Sequence, residues 1–125
     1  MIKYLIDADA AIYAMAESHS PLTARMEQCA PGDIAISAIS FAEIALGTHN
    51  GKPPLSGILD AFLAAIPMLP FDEPAAREYA RLPFRRARFD RLLAAHALSI
   101  GATVITNNED DFADVPGLKI ENWSI

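Results

Sequence analysis

The sequence predicts an α/β protein with a mostly parallel central sheet and helices on both faces. Three observations carry that prediction. Short β-branched runs alternate with longer amphipathic stretches, no internal repeat or linker interrupts them, and 125 residues, 52% of them hydrophobic, suit one domain, residues 1–125.

The elements follow in order. Ile2 to Ile6 (IKYLI) reads as a buried strand that stops on Asp7, followed by two amphipathic stretches, AIYAMAE from Ala11 and LTARMEQC from Leu22. DIAIS (33–37) is the second strand, FAEIALG (41–47) a helix, and HNGKPP from His49 to Pro54 the clearest loop. LSGILDAFLAAI (55–66) is helical, PMLPF (67–71) is the third strand and PAAREYARL (74–82) another helix. After the LPFRR loop come the helix RLLAAHALSI (91–100), the strand ATVIT (102–106), a short DDFADV segment and a last strand around LKIEN (118–122). Strands separated by helices are parallel, and such sheets bind ligands beyond the carboxyl ends of their strands. Asp7, Ser37 and Thr106 stand at such ends.

The formal net charge of −6 argues against bulk attraction to nucleic acid or an anionic membrane. That average hides an island. Arg81, Arg85, Arg86, Arg88 and Arg91, half of the ten basic residues, crowd one short segment offset there only by Asp90, an arrangement suited to a local anion. The lone Cys29 has no partner for an internal disulfide and is expected as a half-buried apolar residue, and no Cys/His grouping has zinc-site spacing. The opening lacks the charged segment and long apolar run of a signal peptide, and no window reaches the roughly 18 apolar residues of a spanning helix, so a cytoplasmic protein is expected.

The acids carry the chemistry. Each has an ordinary explanation: Ser40 and Glu43 match a helix capping box, Asp90 and Asn108 stand where N-caps are expected, and Asp7 could cap a helix beginning at Ala10. Glu109, Asp110 and Asp111 also suit a solvated face. Their joint placement says more, because in a parallel sheet strand ends and helix starts share one edge, where Asp7, Glu43, Asp90 and the Asn108–Asp111 turn would converge. Two carboxylates about 4 Å apart repel by roughly 4 kcal/mol at an effective dielectric near 20, so such a cluster demands a cation. Oxygen ligands without Cys or His suit Mg²⁺ or Mn²⁺.

With Asp7, the ISAISFAE segment, FDRLLAAHALSIGATVITNNEDDFADVPGL and a terminal Asn-Trp pair, the chain resembles the PIN-domain ribonucleases, specifically the VapC toxins of bacterial toxin–antitoxin pairs, over essentially its whole length. The resemblance implies a three-layer αβα fold, metal-dependent hydrolysis of RNA by Mg²⁺ or Mn²⁺, a homodimer, and inhibition by a VapB-like antitoxin. By position it assigns Asp7, Glu43 and Asp90 as metal ligands. At the fourth position family members often carry an acid, where this chain has Asn108, with Asp110 and Asp111 near enough to substitute; Asn108 and Asp111 therefore join the expected catalytic set. The family usually has a hydroxyl residue and then Asn after the first acid, whereas here Ala8 and Asp9 follow; Asp9 could add an outer carboxylate. Arg85, Arg86 and Arg88 are expected to hold RNA phosphates, with a dimer or antitoxin contact or a solvated face as the alternative. His96 is expected to pack inside its helix, Phe84, Phe89 and Phe112 to belong to the core, and Trp123 to anchor the last strand.

Two rivals remain. Asp7-Ala8-Asp9 with Asp110-Asp111 also resembles haloacid-dehalogenase-like phosphatases, which need a lysine between those motifs; only Lys52 lies there. The other is a catalytically impaired module that binds RNA or protein, a reading that rests on Asn108.

Overall fold

The computed structural model describes residues 1–83 and 89–125. Among them a five-stranded sheet runs in the order β3-β2-β1-β4-β5: β1 (Tyr4–Ile6), β2 (Ile34–Ser37), β3 (Met68–Leu69), β4 (Thr103–Ile105) and β5 (Ile120–Glu121). Every neighbouring pair is parallel, so each strand reaches the next through a crossover. The helices are α1 (Ala8–Ala16), α2 (Pro21–Glu27), α3 (Ala38–His49), α4 (Ser56–Ala65), α5 (Glu73–Arg81) and α6 (Phe89–Ile100).

Strand alternation builds the two faces. Leu5 stands level with Ala35 and Val104, and these three pack with Leu93, Ala94 and Ala97 of α6. Ile6 stands level with Ile36 and Ile105, and these point into the opposite cluster with Ala10 and Ala11 of α1, Ile44 of α3 and Leu59 of α4. Both clusters are essentially closed to solvent, which gives the three-layer αβα arrangement that the resemblance implies. Trp123 is buried in the cluster around Ile6: it meets Tyr4 edge-on, carries Arg25 on its face, and its indole N–H donates to Glu121 Oε1 at 2.8 Å. Phe112 is core, as expected. Phe89 is not: it is 49% exposed, because it opens α6 a full turn before Leu93, where that helix first enters the core. Phe84 lies outside the described residues.

Helix starts differ from expectation in a way that matters for the acids. α1 begins at Ala8, with Asp7 as its N-cap; Asp7 Oδ1 accepts the Ala10 N–H at 2.8 Å. α3 begins at Ala38, capped by Ser37, whose Oγ accepts the Ile39 N–H at 3.1 Å. The Ser40–Glu43 capping box therefore does not form. Ser40 is buried inside the helix, and Glu43 is left in mid-helix with no capping duty. Asp90 sits in the first turn of α6 and not ahead of it. At this sheet's centre, chain from β1 leads toward β2 and chain from β4 leads toward β5, so the carboxyl ends of β1 and β4 form a switch point where a crevice opens.

Candidate active site

Asp7 stands at that crevice, 5% exposed, with its own N–H donated to the Ile105 carbonyl at 2.9 Å. Burial pushes its carboxyl up to about 6; hydrogen bonds from the Thr106 side chain and the Ala10 N–H pull the other way, and the charges of Asp9 and Asp90 add to the rise. Glu43, half-buried on α3, is pushed up to about 7 by burial first and then by Asp90, Asp9 and Asp7. Four carboxylates from three elements thus act on one another, and no cation among the described residues is paired with Asp7 or Glu43. The acids expected to meet, Asp7, Glu43 and Asp90, do share one electrostatic neighbourhood. As they stand they are a rim and not a cage: among the described residues no three Asp, Glu, His or Cys side chains already close on a point that could hold a metal ion.

The donor chemistry nevertheless fits a hard divalent cation. It is all oxygen, its charges raise one another's proton affinity, and a bound cation would offset the repulsion acting on Asp7 and Glu43.

The Asn108–Asp111 turn behaves differently from the other expected members. Asn108 precedes the short 3₁₀ turn Glu109–Asp111 without capping it; its Nδ2 instead donates to Asp9 Oδ2 at 2.8 Å. Asp110 and Asp111 are exposed on that turn, and neither is among the charges acting on Asp7 or Glu43. Arg85, Arg86 and Arg88 lie outside the described residues. Arg91, from the same island, is described: its Nη2 bonds Asp114 Oδ2 at 2.6 Å and ties the start of α6 to the loop beyond β4. Lys52 is exposed in the 50–54 loop and does not act on Asp7, so the lysine that a phosphoaspartate would need is not at the site.

His96 packs inside α6 as expected and adds a tie that the sequence did not reveal. Its Nδ1 lies 2.7 Å from Ser37 Oγ, the same oxygen that caps α3, and Phe71 meets the ring edge-on. Burial lowers its pKa. Ser37 precedes Glu43 and Asp90 precedes His96 by six residues each, so this bond joins the two helices about 9 Å along each from its acid. Only the strand-end position of Ser37 signalled it.

The raised carboxyls set a pH signature. Both bind a proton more tightly folded than unfolded, so their contribution to stability is fully present below the ordinary carboxylate range and is lost as pH rises through about 6 for Asp7 and about 7 for Glu43. His96 opposes this, since a depressed histidine loses stability as pH falls. Comparing one variant with wild type cancels the histidine's contribution: in EDTA, Glu43→Gln should gain melting temperature over wild type progressively from pH 6 to 8. A difference that is constant over this range would mean Glu43 carries no raised proton affinity.

Comparison with known proteins places this geometry. The family model for the PIN domain matches residues 4–118. The tRNA(fMet)-specific endonuclease VapC of Shigella flexneri is 27% identical, the match covering 99% of this chain and 100% of that one. Among solved structures, the complex of VapBC2 from Rickettsia felis with a DNA fragment from their promoter contains a chain that superposes with a TM-score of 0.85 at 28% identity, over 98% of this chain and 99% of that one. The DNA-bound VapBC of Salmonella typhimurium gives 0.83 at 25% identity, with 98% and 99% covered.

Proposed function

This chain belongs to the PIN-domain family, and on that premise we propose that it is a VapC-type endoribonuclease, dependent on Mg²⁺ or Mn²⁺ and held inactive by a VapB-like antitoxin. The observation that carries the proposal is the buried Asp7 at the β1–β4 switch point, its charge opposed by Glu43, Asp9 and Asp90 and balanced by no described cation. The names of the relatives supply the substrate class and the partner. A homodimer belongs to the same reading.

Asp7, Glu43 and Asp90 would hold the cation. Once bound, it supplies the acidity that activates a water and the charge that stabilises the phosphate and the leaving 3′ oxygen. The chain's own work is positioning. Asp7 is fixed at both ends, by its backbone N–H on Ile105 and by its carboxylate on Ala10 and Thr106, so it presents one geometry to whatever occupies the crevice. Glu43 and Asp90 approach from separate helices that the Ser37–His96 bond holds together. Because carboxylates alone make the rim negative, it would repel RNA without a cation, so the cation would be needed for RNA binding as well as for cutting.

The test is cleavage of total cellular RNA by antitoxin-free protein in Mg²⁺, Mn²⁺ or EDTA, with the ends mapped. Cuts leaving 5′-phosphate and 3′-hydroxyl ends should appear with either metal and vanish in EDTA. Asp90→Asn should reduce them by about a hundredfold or more. RNA that is bound but never cut would support the impaired binding module, and an Asp90→Asn protein that cuts normally would remove Asp90 from the site.

A further inference from the structure

The acid at the β4 end of the site is missing from the sequence, and the structure shows what Asn108 does in its place. Its side-chain amide reaches back across the switch point to α1 and donates to Asp9 Oδ2 at 2.8 Å, joining residues 99 positions apart. A hydrogen bond to a carboxylate is stronger than one between neutral groups, and this one occupies a single oxygen of Asp9. Asp9 lies in the first turn of α1, two residues beyond the cap Asp7.

We propose that Asp9 supplies the fourth carboxylate of the site and that Asn108 is its positioning residue, the acid and the amide having exchanged sides of the crevice. The inference rests on the metal-dependent reading above and names which residues complete it. The bond to Asn108 joins the first turn of α1 to the turn beyond β4, so although Asp9 is exposed its carboxylate is tied to one place at the rim of the crevice. The charge of Asp9 acts on both Asp7 and Glu43, and those of Asp110 and Asp111 are not among the charges that do. Asn108 shares a surface hollow with Glu109, Asp110 and Asp111, yet of that turn it is the Asn108 amide that reaches an acid of α1.

Charge and geometry can be separated by exchange. Asp9→Asn keeps an oxygen for the Asn108 amide and removes only the charge. Asn108→Ala keeps the charge and frees its holder. The double variant Asp9→Asn/Asn108→Asp restores one acid and one amide with their sides reversed. Mn²⁺ binding, followed by calorimetry at fixed pH, reads each variant without reference to RNA, and circular dichroism reports that each is folded.

Asp9→Asn should weaken Mn²⁺ binding about 10–100-fold, Asn108→Ala should weaken it by a smaller factor, and the double variant should recover most of the loss, which a merely structural bond would not produce. Wild-type affinity in Asp9→Asn, a double variant no better than Asp9→Asn, or a large loss in Asp111→Asn would each overturn the assignment. Asp7→Asn separates the two levels. If it abolishes binding while Asp9→Asn leaves it intact, only this inference fails; if wild-type protein takes up no Mn²⁺ at all, the metal-dependent reading fails and takes this one with it.

Discussion

Asp7→Asn is expected to lower RNA cleavage by about a hundredfold or more while making the cation-free protein more stable. The two effects share one cause. Asp7 is buried, and its carboxyl is pushed up to about 6, so at neutral pH the fold holds a charge that water would hold more comfortably. Asparagine is also a good N-cap, and its oxygen can still accept the Ala10 N–H, so the helix start survives the change. What disappears is the desolvated charge, worth about 1–3 kcal/mol near pH 7.5. Urea unfolding in EDTA at pH 7.5 measures the gain. The gain should shrink as pH falls below 6, where wild-type Asp7 takes up its proton. A variant that is less stable, or that still cuts RNA, would show that Asp7 is a structural cap and nothing more.

Trp123→Ala should be the most destabilising single change in the described fold, by about 3–5 kcal/mol. The ring is 2% exposed, packs in the core cluster around Ile6, meets Tyr4 edge-on at 4.8 Å and carries Arg25 on its face. Because β5 is only two residues long, the indole provides much of what holds that edge of the sheet in place. Trp123→Phe keeps the ring packing and loses the bond to Glu121, so it should cost only about 1 kcal/mol plus its missing volume. Equilibrium unfolding of both variants gives the comparison. An alanine variant within 1 kcal/mol of wild type would mean that the tail is dispensable to the core.

Much of this architecture was legible because two independent patterns agreed. β-branched runs of period two and helical spacing between them fix strand order along the chain, and parallel strands follow from the crossovers. Asp7 was legible as anomalous for the same reason, as an acid where a buried strand should end. Boundaries were less so. Ser40 and Glu43 have capping-box spacing, yet Ser37, three residues earlier, takes the helix start, because a strand that ends on a hydroxyl supplies the cap before the chain reaches Ser40. Contacts between distant side chains were not legible. Nothing local in the sequence joins Asp9 to Asn108 or Ser37 to His96; both pairings exist only once the sheet has set its strands side by side.

The backbone bond from Asp7 to Ile105 has a consequence for motion. That amide can exchange its hydrogen with solvent only when β1 parts from β4, which is an opening of the sheet's centre, so it should rank among the slowest in the protein. The amides of the 109–111 turn, exposed and far from any ladder, should exchange orders of magnitude sooner. The crevice therefore has one slowly opening wall and one more pliant lip, and on the proposed function an RNA chain would be accommodated by the lip without disturbing Asp7.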